Sequence, residues 1–159
     1  MDPKTNTQIT IWLISACLLI FLMVIIGGVT RLTQSGLSMV EWHPISGAVP
    51  PMNDSAWETE FEKYQQYPEY QKLNQGMTLS QFKFIFFWEY VHRLIGRLLG
   101  IFFIIPFAYF LVMKKLNPPL MKKLLFMFVL GGLQGLYGWY MVKSGLVDNP
   151  HVSHYRLAG

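Results

Sequence analysis

The chain has 159 residues, of which 52% are hydrophobic, 16% are aromatic and only 14% are charged. Average soluble domains carry roughly 25% charged residues, so this composition argues against a soluble domain and favours a membrane protein. The formal net charge is +4, but the lysines and arginines flank apolar runs and form no basic stripe, which excludes nucleic acid as a partner. The single cysteine, Cys17, excludes an intrachain disulfide.

Three apolar runs are long enough to cross a membrane as helices. They cover residues 9–29, 82–113 and 124–142, and a bilayer core requires ~20 apolar residues in a helix. The first run is longer than the ~7–15-residue core of a signal peptide, and no small-residue cleavage site follows it, so we expect it to be retained. Pro106 in the second run is compatible with a kinked membrane helix.

The connection over residues 30–80 is too polar to span a membrane and too long for a tight turn. Residues 54–58 have the pattern of a helix start with an acidic first turn. Aromatic residues then recur at helical spacing, which predicts a short amphipathic helix on the membrane surface; they are Trp57, Phe61 and Tyr64. Residues 78–81 provide a capping sequence for the second span.

The distribution of lysines predicts the topology. Four lysines crowd the connection over residues 114–123, and short connections rich in Lys and Arg remain cytoplasmic. We therefore expect a cytoplasmic N-terminus, with the 30–80 loop and the 143–159 tail outside, in a single membrane domain over residues 1–159. No Arg-rich transit peptide precedes the first span, which favours a bacterial inner membrane over the mitochondrial inner membrane.

The second span contains ionisable residues at membrane depth, where they are costly and usually functional. Glu89 and His92 are three residues apart and share one helix face, which Gly96 continues. A neutral imidazole at this depth can bind haem iron, and the missing side chain of the glycine makes room for a flat macrocycle. The alternative is helix packing through small residues, with His92 hydrogen-bonded to a neighbour.

Two arginines on the same span also have two interpretations. Arg93 and Arg97 could bind carboxylate groups of a ligand bidentately, or they could pair with Glu89 and so permit its insertion into the membrane. The third span contains a G-x-x-x-G pair formed by Gly131 and Gly135, which favours close helix packing. Gln134 lies between these glycines and could donate a hydrogen bond across a helix bundle.

Longer motifs then resemble one protein family. They comprise residues 27–38 (GGVTRLTQSGLS), 41–45 (EWHPI), 73–77 (LNQGM), 82–93 (FKFIFFWEYVHR) and 132–135 (GLQG). From about Gly27 to its last residue, the chain strongly resembles the haem A synthase family in the form shared by mitochondria and many proteobacteria. These motifs are much more specific than a bare Glu-x-x-His spacing.

The resemblance implies an eight-helix membrane oxidoreductase built from two similar four-helix halves, each with a haem held between histidines. Such enzymes oxidise a methyl group of haem O to a formyl group and so produce haem A for cytochrome c oxidase. The chain resembles the N-terminal, substrate half, which would bind haem O, whereas the C-terminal half would hold haem b. His92 would then be an axial ligand of the haem iron, and Glu89 would be the catalytic carboxylate beside the reacting methyl group. The remaining haem-binding residues would be Gln134 and four arginines that anchor propionates, namely Arg31, Arg93, Arg97 and Arg156.

The resemblance also predicts what this chain does not contain. The family requires a second histidine at the start of a fourth span, and residues 152–159 are similar to the sequence that leads into it. We therefore expect a three-span N-terminal portion that is inactive alone and works with a C-terminal half. The other expected partners are membrane lipid, haem O, haem A, and a haem O synthase or a second copy of the chain. A b-type haem electron-transfer subunit and a non-catalytic assembly module are the alternative functions.

Overall fold

A computed structural model describes residues 2–41 and 49–147, which form five helices and no strand. In chain order the helices are α1 (Pro3–Leu32), α2 (Asp54–Gln65), α3 (Pro68–Leu73), α4 (Leu79–Val112) and α5 (Pro118–Val147). Helices α1, α4 and α5 are long and apolar enough to cross a membrane. The prediction of an all-α, multi-pass membrane protein with three spans is therefore confirmed, although each helix extends beyond its apolar run.

Helices α2 and α4 begin at side-chain caps that the sequence contains. The short helix predicted from Asp54 is present as α2, and Asn53 caps it by accepting a hydrogen bond from the backbone N–H of Ala56 at 2.8 Å. Thr78 and Gln81 form a reciprocal capping box at the start of α4, as residues 78–81 predicted. Helix α3 was not predicted, because its six residues are too few to show a periodic pattern.

Helices α1 and α4 end in the same type of turn. After α1, Gln34 has a φ of 52°, and the N–H of Ser35 donates to the carbonyl of Thr30 at 2.9 Å. After α4, Lys114 occupies the equivalent position with a φ of 51°, and the next N–H again donates back five residues at 2.9 Å. This Schellman pattern usually contains glycine at the left-handed position, so neither helix end has the usual sequence signal.

Helices α1 and α4 form an antiparallel pair. Near one end the indole N–H of Trp12 donates to the carbonyl of Phe102 at 3.1 Å, and near the other the hydroxyl of Thr30 lies 3.3 Å from the carbonyl of Trp88. Helix α4 continues through Pro106 without interruption. Helix α5 covers α4 only partly, and many apolar side chains of α5 are exposed, such as Leu133 at 56%.

Two clusters of buried side chains lie at opposite ends of this pair. We call residues 33–41 and 49–78 the cap, because they cover one end of α1 and α4. The cap cluster combines the cap with the first turns of α4, and its buried members are Met39, Val40, Tyr64, Phe82, Ile85 and Phe86. The far-end cluster is formed by Ile9, Trp12, Phe110 and Leu124. The ionisable residues of α4 lie at the cap end.

Candidate functional site

Glu89 lies on α4 beneath the cap and is only 2% exposed. Its Oε2 accepts hydrogen bonds from the backbone N–H of Met39 at 2.8 Å and from the hydroxyl of Ser38 at 2.6 Å. Its Oε1 accepts a hydrogen bond from the guanidinium of Arg93, one helical turn further along α4. Arg93 also donates to the carbonyl of Met39 at 3.1 Å. The loop after α1 and the middle of α4 are thus joined through one carboxylate.

The turn at the end of α1 brings the loop to this carboxylate. Once Gln34 reverses the chain, Ser35 and Ser38 are both fully buried, at 0% and 1% exposure. The hydroxyl of Ser35 lies 2.6 Å from that of Thr33, and the hydroxyl of Ser38 lies 3.1 Å from the carbonyl of Ser35. The turn thus holds Ser38 against α4, where its hydroxyl is closer to Oε2 of Glu89, at 2.6 Å, than to the carbonyl of Ser35.

The contacts of Glu89 all suit a charged carboxylate. Three donors face its two oxygens, and a carboxylate without a proton can only accept hydrogen bonds, so this arrangement suits the ionised form. Burying an ion pair at this depth costs a large desolvation free energy. A buried ion pair therefore rarely increases the stability of the fold, which suggests another role for it. The burial and the specific charge partner of Glu89 are features that functional sites share.

His92 is half-buried one turn along α4 from Glu89, and its ring lies against α1. A Cβ atom at Gly27 would be 3.6 Å from Nε2 of His92, so the imidazole edge occupies the space that the glycine leaves. Helix α4 begins at Leu79, which places His92 about 20 Å along the helix axis from that end. Within residues 2–41 and 49–147 the ring has no hydrogen bond, in contrast to the hydrogen-bonded histidine of the packing alternative.

The space beside Gly96 is not open. A Cβ atom at this position would lie 3.3 Å from the terminal methyl group of Met23 on α1. At Gly96 the structure therefore has the close helix contact that the packing alternative described. One turn further, a Cβ atom at Gly100 would meet nothing within 4 Å in the described part of the chain.

The predicted arginines lie in different surroundings. Arg93 forms the ion pair with Glu89, and its side chain is 13% exposed. Arg97 is half-buried one turn further along α4, within electrostatic range of Arg93 and Tyr90. Arg31 is exposed in the last turn of α1. The structure thus places one arginine at the carboxylate and a second one beside it.

Two other predicted haem-binding residues are not part of this cluster. Gln134 is exposed on α5, and among the described residues no hydrogen bond to its side chain is present. Arg156 and the lead-in to the expected second histidine lie outside the described residues. No group of three or more His, Cys, Asp or Glu residues that could hold a metal ion occurs within 2–41 and 49–147.

Sequence reasoning missed Ser38 and Met39, which donate to Glu89, and it missed the burial of Glu69. Ser38 lies in the first motif of the family resemblance, but no spacing rule connects it with a residue 51 positions away. Glu69 lies in the 30–80 connection, whose polar sequence gives no sign of a buried acid, whereas its side chain is only 6% exposed. Burial, with a further contribution from the charge of Glu89, raises the pKa of Glu69 to about 8.

The chain is highly similar to curated relatives of bacterial origin. It is 61% identical over 158 residues to the haem A synthase of Nitrosospira multiformis, which covers 98% of this chain and 44% of that relative. It is 58% identical to the haem A synthase of Nitrosomonas eutropha, over 97% of this chain and 43% of the relative. For the haem A synthase of Flavobacterium psychrophilum the identity is 54%, over 98% and 46%.

The chain therefore spans less than half the length of these relatives. No solved structure matches it. A family model described as cytochrome oxidase assembly protein matches residues 10–159, which include most of α1, all of α4 and α5, and the Glu89 cluster. The chain belongs to the COX15-CtaA family of cytochrome oxidase assembly proteins.

Proposed function

We propose that the chain forms the haem O-binding part of a haem A synthase, an oxidoreductase that converts a methyl group of haem O to a formyl group. The product, haem A, would serve cytochrome c oxidase. The observation that carries this proposal is the buried Glu89, held by three donors one helical turn from His92 on α4. The identity to haem A synthases over nearly the whole chain supports it.

His92 has the properties that an axial ligand of haem iron requires. Its ring is half-buried and makes no hydrogen bond within the described part of the chain, so a ring nitrogen remains available to a metal. Gly27 leaves space on α1 for the ring. The iron would supply the redox chemistry, while this chain would contribute the ligand and the polar groups around it. A second residue that holds the haem would come from sequence beyond the described residues.

Glu89 would act on the methyl group from a fixed position. Because Ser38, Met39 and Arg93 hold both carboxylate oxygens, Glu89 presents a negative charge whose orientation does not depend on the substrate. Such a carboxylate can accept a proton or stabilise positive charge that develops near the reacting carbon. Arg97, beside this ion pair, is the best-placed candidate for a haem propionate, with Arg31, Arg93, Gln134 and Arg156 completing the proposed haem-binding set.

The proposed membrane is the bacterial plasma membrane, with the mitochondrial inner membrane as the alternative. The lysines of the α4–α5 connection, which are Lys114, Lys115, Lys122 and Lys123, favour a cytoplasmic N-terminus and an external cap. The relatives are more than twice as long as this chain, which supports a C-terminal half with haem b as partner. A haem O synthase or a second copy of the chain would be a further partner.

Haem A formation in a strain that makes haem O but lacks its own haem A synthase tests the function. The complete gene product should produce haem A, and Glu89→Gln should lower the rate about 100-fold or more, as expected when a group that exchanges protons at the reacting atoms is removed. Glu62→Gln is the matched control, because Glu62 is an exposed glutamate of α2. His92→Ala should lower the haem content of the purified protein.

Two results would contradict the proposal. Haem A formation by Glu89→Gln at the rate of the unsubstituted protein would remove its catalytic role. Bound haem that is never converted, with or without Glu89, would instead identify a b-type haem electron-transfer subunit.

A further inference from the structure

Glu69 of α3 is a buried acid that the proposed chemistry does not use. It is 6% exposed, and a hydrogen bond joins it to the phenol of Tyr64, which is 0% exposed. The side-chain amide of Asn74 donates to the same phenol oxygen at 2.7 Å. Among the described residues, Oε2 of Glu69 has no hydrogen-bond partner. A native fold rarely buries such an oxygen without a reason.

A continuous path of packed groups connects Glu69 with Glu89. The ring of Tyr64 packs against that of Phe82 with centroids 5.1 Å apart, and both rings belong to the cap cluster. Met39 is a buried member of the same cluster, and its N–H donates to Glu89 at 2.8 Å. A displacement of α3 and Tyr64 would therefore reach the backbone that holds the Glu89 carboxylate.

The surroundings of Glu69 favour its protonated form. Burial and, to a smaller extent, the nearby charge of Glu89 raise the pKa of Glu69, the hydrogen bond from Tyr64 lowers it, and the result is a pKa of about 8. Helix α3 also packs against α5, where the cation Lys143 lies over the ring of Trp139 at 4.9 Å. Because Glu89 lies within electrostatic range of Glu69, ionisation of Glu69 would add a second buried negative charge near that of Glu89.

We propose that Glu69 is a positioning residue for Glu89: its protonated carboxyl keeps the cap seated on α4, and its ionisation releases the cap together with Met39. Glu69 acts through Tyr64 and the cap cluster and touches no reacting atom. The effect on haem A formation rests on the proposed function, whereas the seating of the cap does not.

The direction of the pH dependence follows from proton binding. The seated cap holds the Glu69 proton up to about pH 8, whereas a carboxyl in a released, hydrated cap loses it near the ordinary value of about 4.5. The seated state therefore binds more protons between these values, and its stability falls as the pH rises. The equilibrium constant for release should increase by at most about tenfold per pH unit between about pH 5 and 8 and then level off.

Hydrogen–deuterium exchange of the complete protein in lipid nanodiscs from pH 5 to 9 tests this proposal. Exchange is followed in peptides that contain Met39 and α3, and each rate is divided by the intrinsic rate at the same pH. Protection of these peptides should fall with rising pH in the unsubstituted protein and in the control Glu62→Gln. In Glu69→Gln, an isosteric neutral replacement, protection should be high and independent of pH.

Tyr64→Phe gives a second variant that keeps the ring packing. The hydrogen bond from Tyr64 lowers the pKa of Glu69, so its removal raises this pKa. In this variant the release of the cap should therefore keep increasing to a higher pH before it levels off. A pH-dependent loss of protection in Glu69→Gln equal to that of the unsubstituted protein would overturn the proposal, and so would protection that does not change with pH before substitution.

Haem A formation measured at the same pH values separates the two proposals. If protection depends on Glu69 but no haem A forms, the positioning role stands and the proposed function fails. If haem A forms while protection and rate have the same pH profile in Glu69→Gln and in the unsubstituted protein, the function stands and the positioning role fails.

Discussion

The two ends of the α1–α4 pair are packed by different kinds of side chains. Both helices stop in a Schellman turn without glycine. At the far end, Trp12 packs against aromatic rings of α4 and makes one hydrogen bond to its backbone. At the cap end, Gly27 faces His92, and a buried ion pair lies under the loop. At the far end, large apolar side chains of α1 and α4 contact each other directly. At the cap end, α1 contributes a glycine to the contact, the large apolar side chains come from the cap and from α4, and a charged pair is buried beneath them.

The largest difference between the ends should appear when the ion pair is broken. Glu89→Ala and Arg93→Ala should each lower the free energy of unfolding by about 3–5 kcal/mol, because each leaves an uncompensated buried charge. The double variant should lose less than the sum of the single ones. At the far end, Trp12→Phe removes the hydrogen bond to Phe102 together with one ring of the buried indole, and it should cost about 1–3 kcal/mol. Reversible unfolding in detergent measures all four, and additive losses for the pair would show that Glu89 and Arg93 are not coupled.

A smaller loss of stability should follow when a side chain is added at Gly27, where the ring of His92 packs against α1. The methyl groups of Gly27→Val would extend from a Cβ position already 3.6 Å from Nε2 of His92, and such overpacking costs about 1–3 kcal/mol. Gly28→Val is the matched control, because its Cβ meets nothing within 4 Å in the described part of the chain. Unfolding and haem content are measured together. Equal losses in both variants would mean that the ring does not depend on the Gly27 contact.

The smallest effect should be a gain that is the same at both ends. Gln34→Gly and Lys114→Gly each relieve a left-handed residue with a Cβ atom, and each should raise the free energy of unfolding by no more than about 1 kcal/mol. The gain should be similar in both, because the turns have the same hydrogen bonds. A loss at Gln34 alone would indicate that its side chain, and not only its backbone, holds the loop over Glu89.

Most of the fold was predictable because its signals are local. Apolar length predicted the three membrane helices, and the capping sequences at Asp54 and Thr78 predicted where α2 and α4 begin. The ends of α1 and α4 were less predictable, because Gln34 and Lys114 adopt a left-handed backbone conformation that usually requires glycine. Helix α3 has too few residues for a periodic signal.

The sequence by itself determined that Glu89 and His92 share a face of a membrane helix, since a spacing of three residues fixes this in any α-helix. Only the tertiary structure decided what that face contacts. Ser38 and Met39 contact Glu89 from 51 and 50 positions away in the sequence, and Met23 fills the space at Gly96. Glu69 became a buried acid because α3 folds back onto the cap cluster. Such contacts depend on how separate helices and loops pack, and a polar residue in a loop carries the same local signal whether it is buried or solvated.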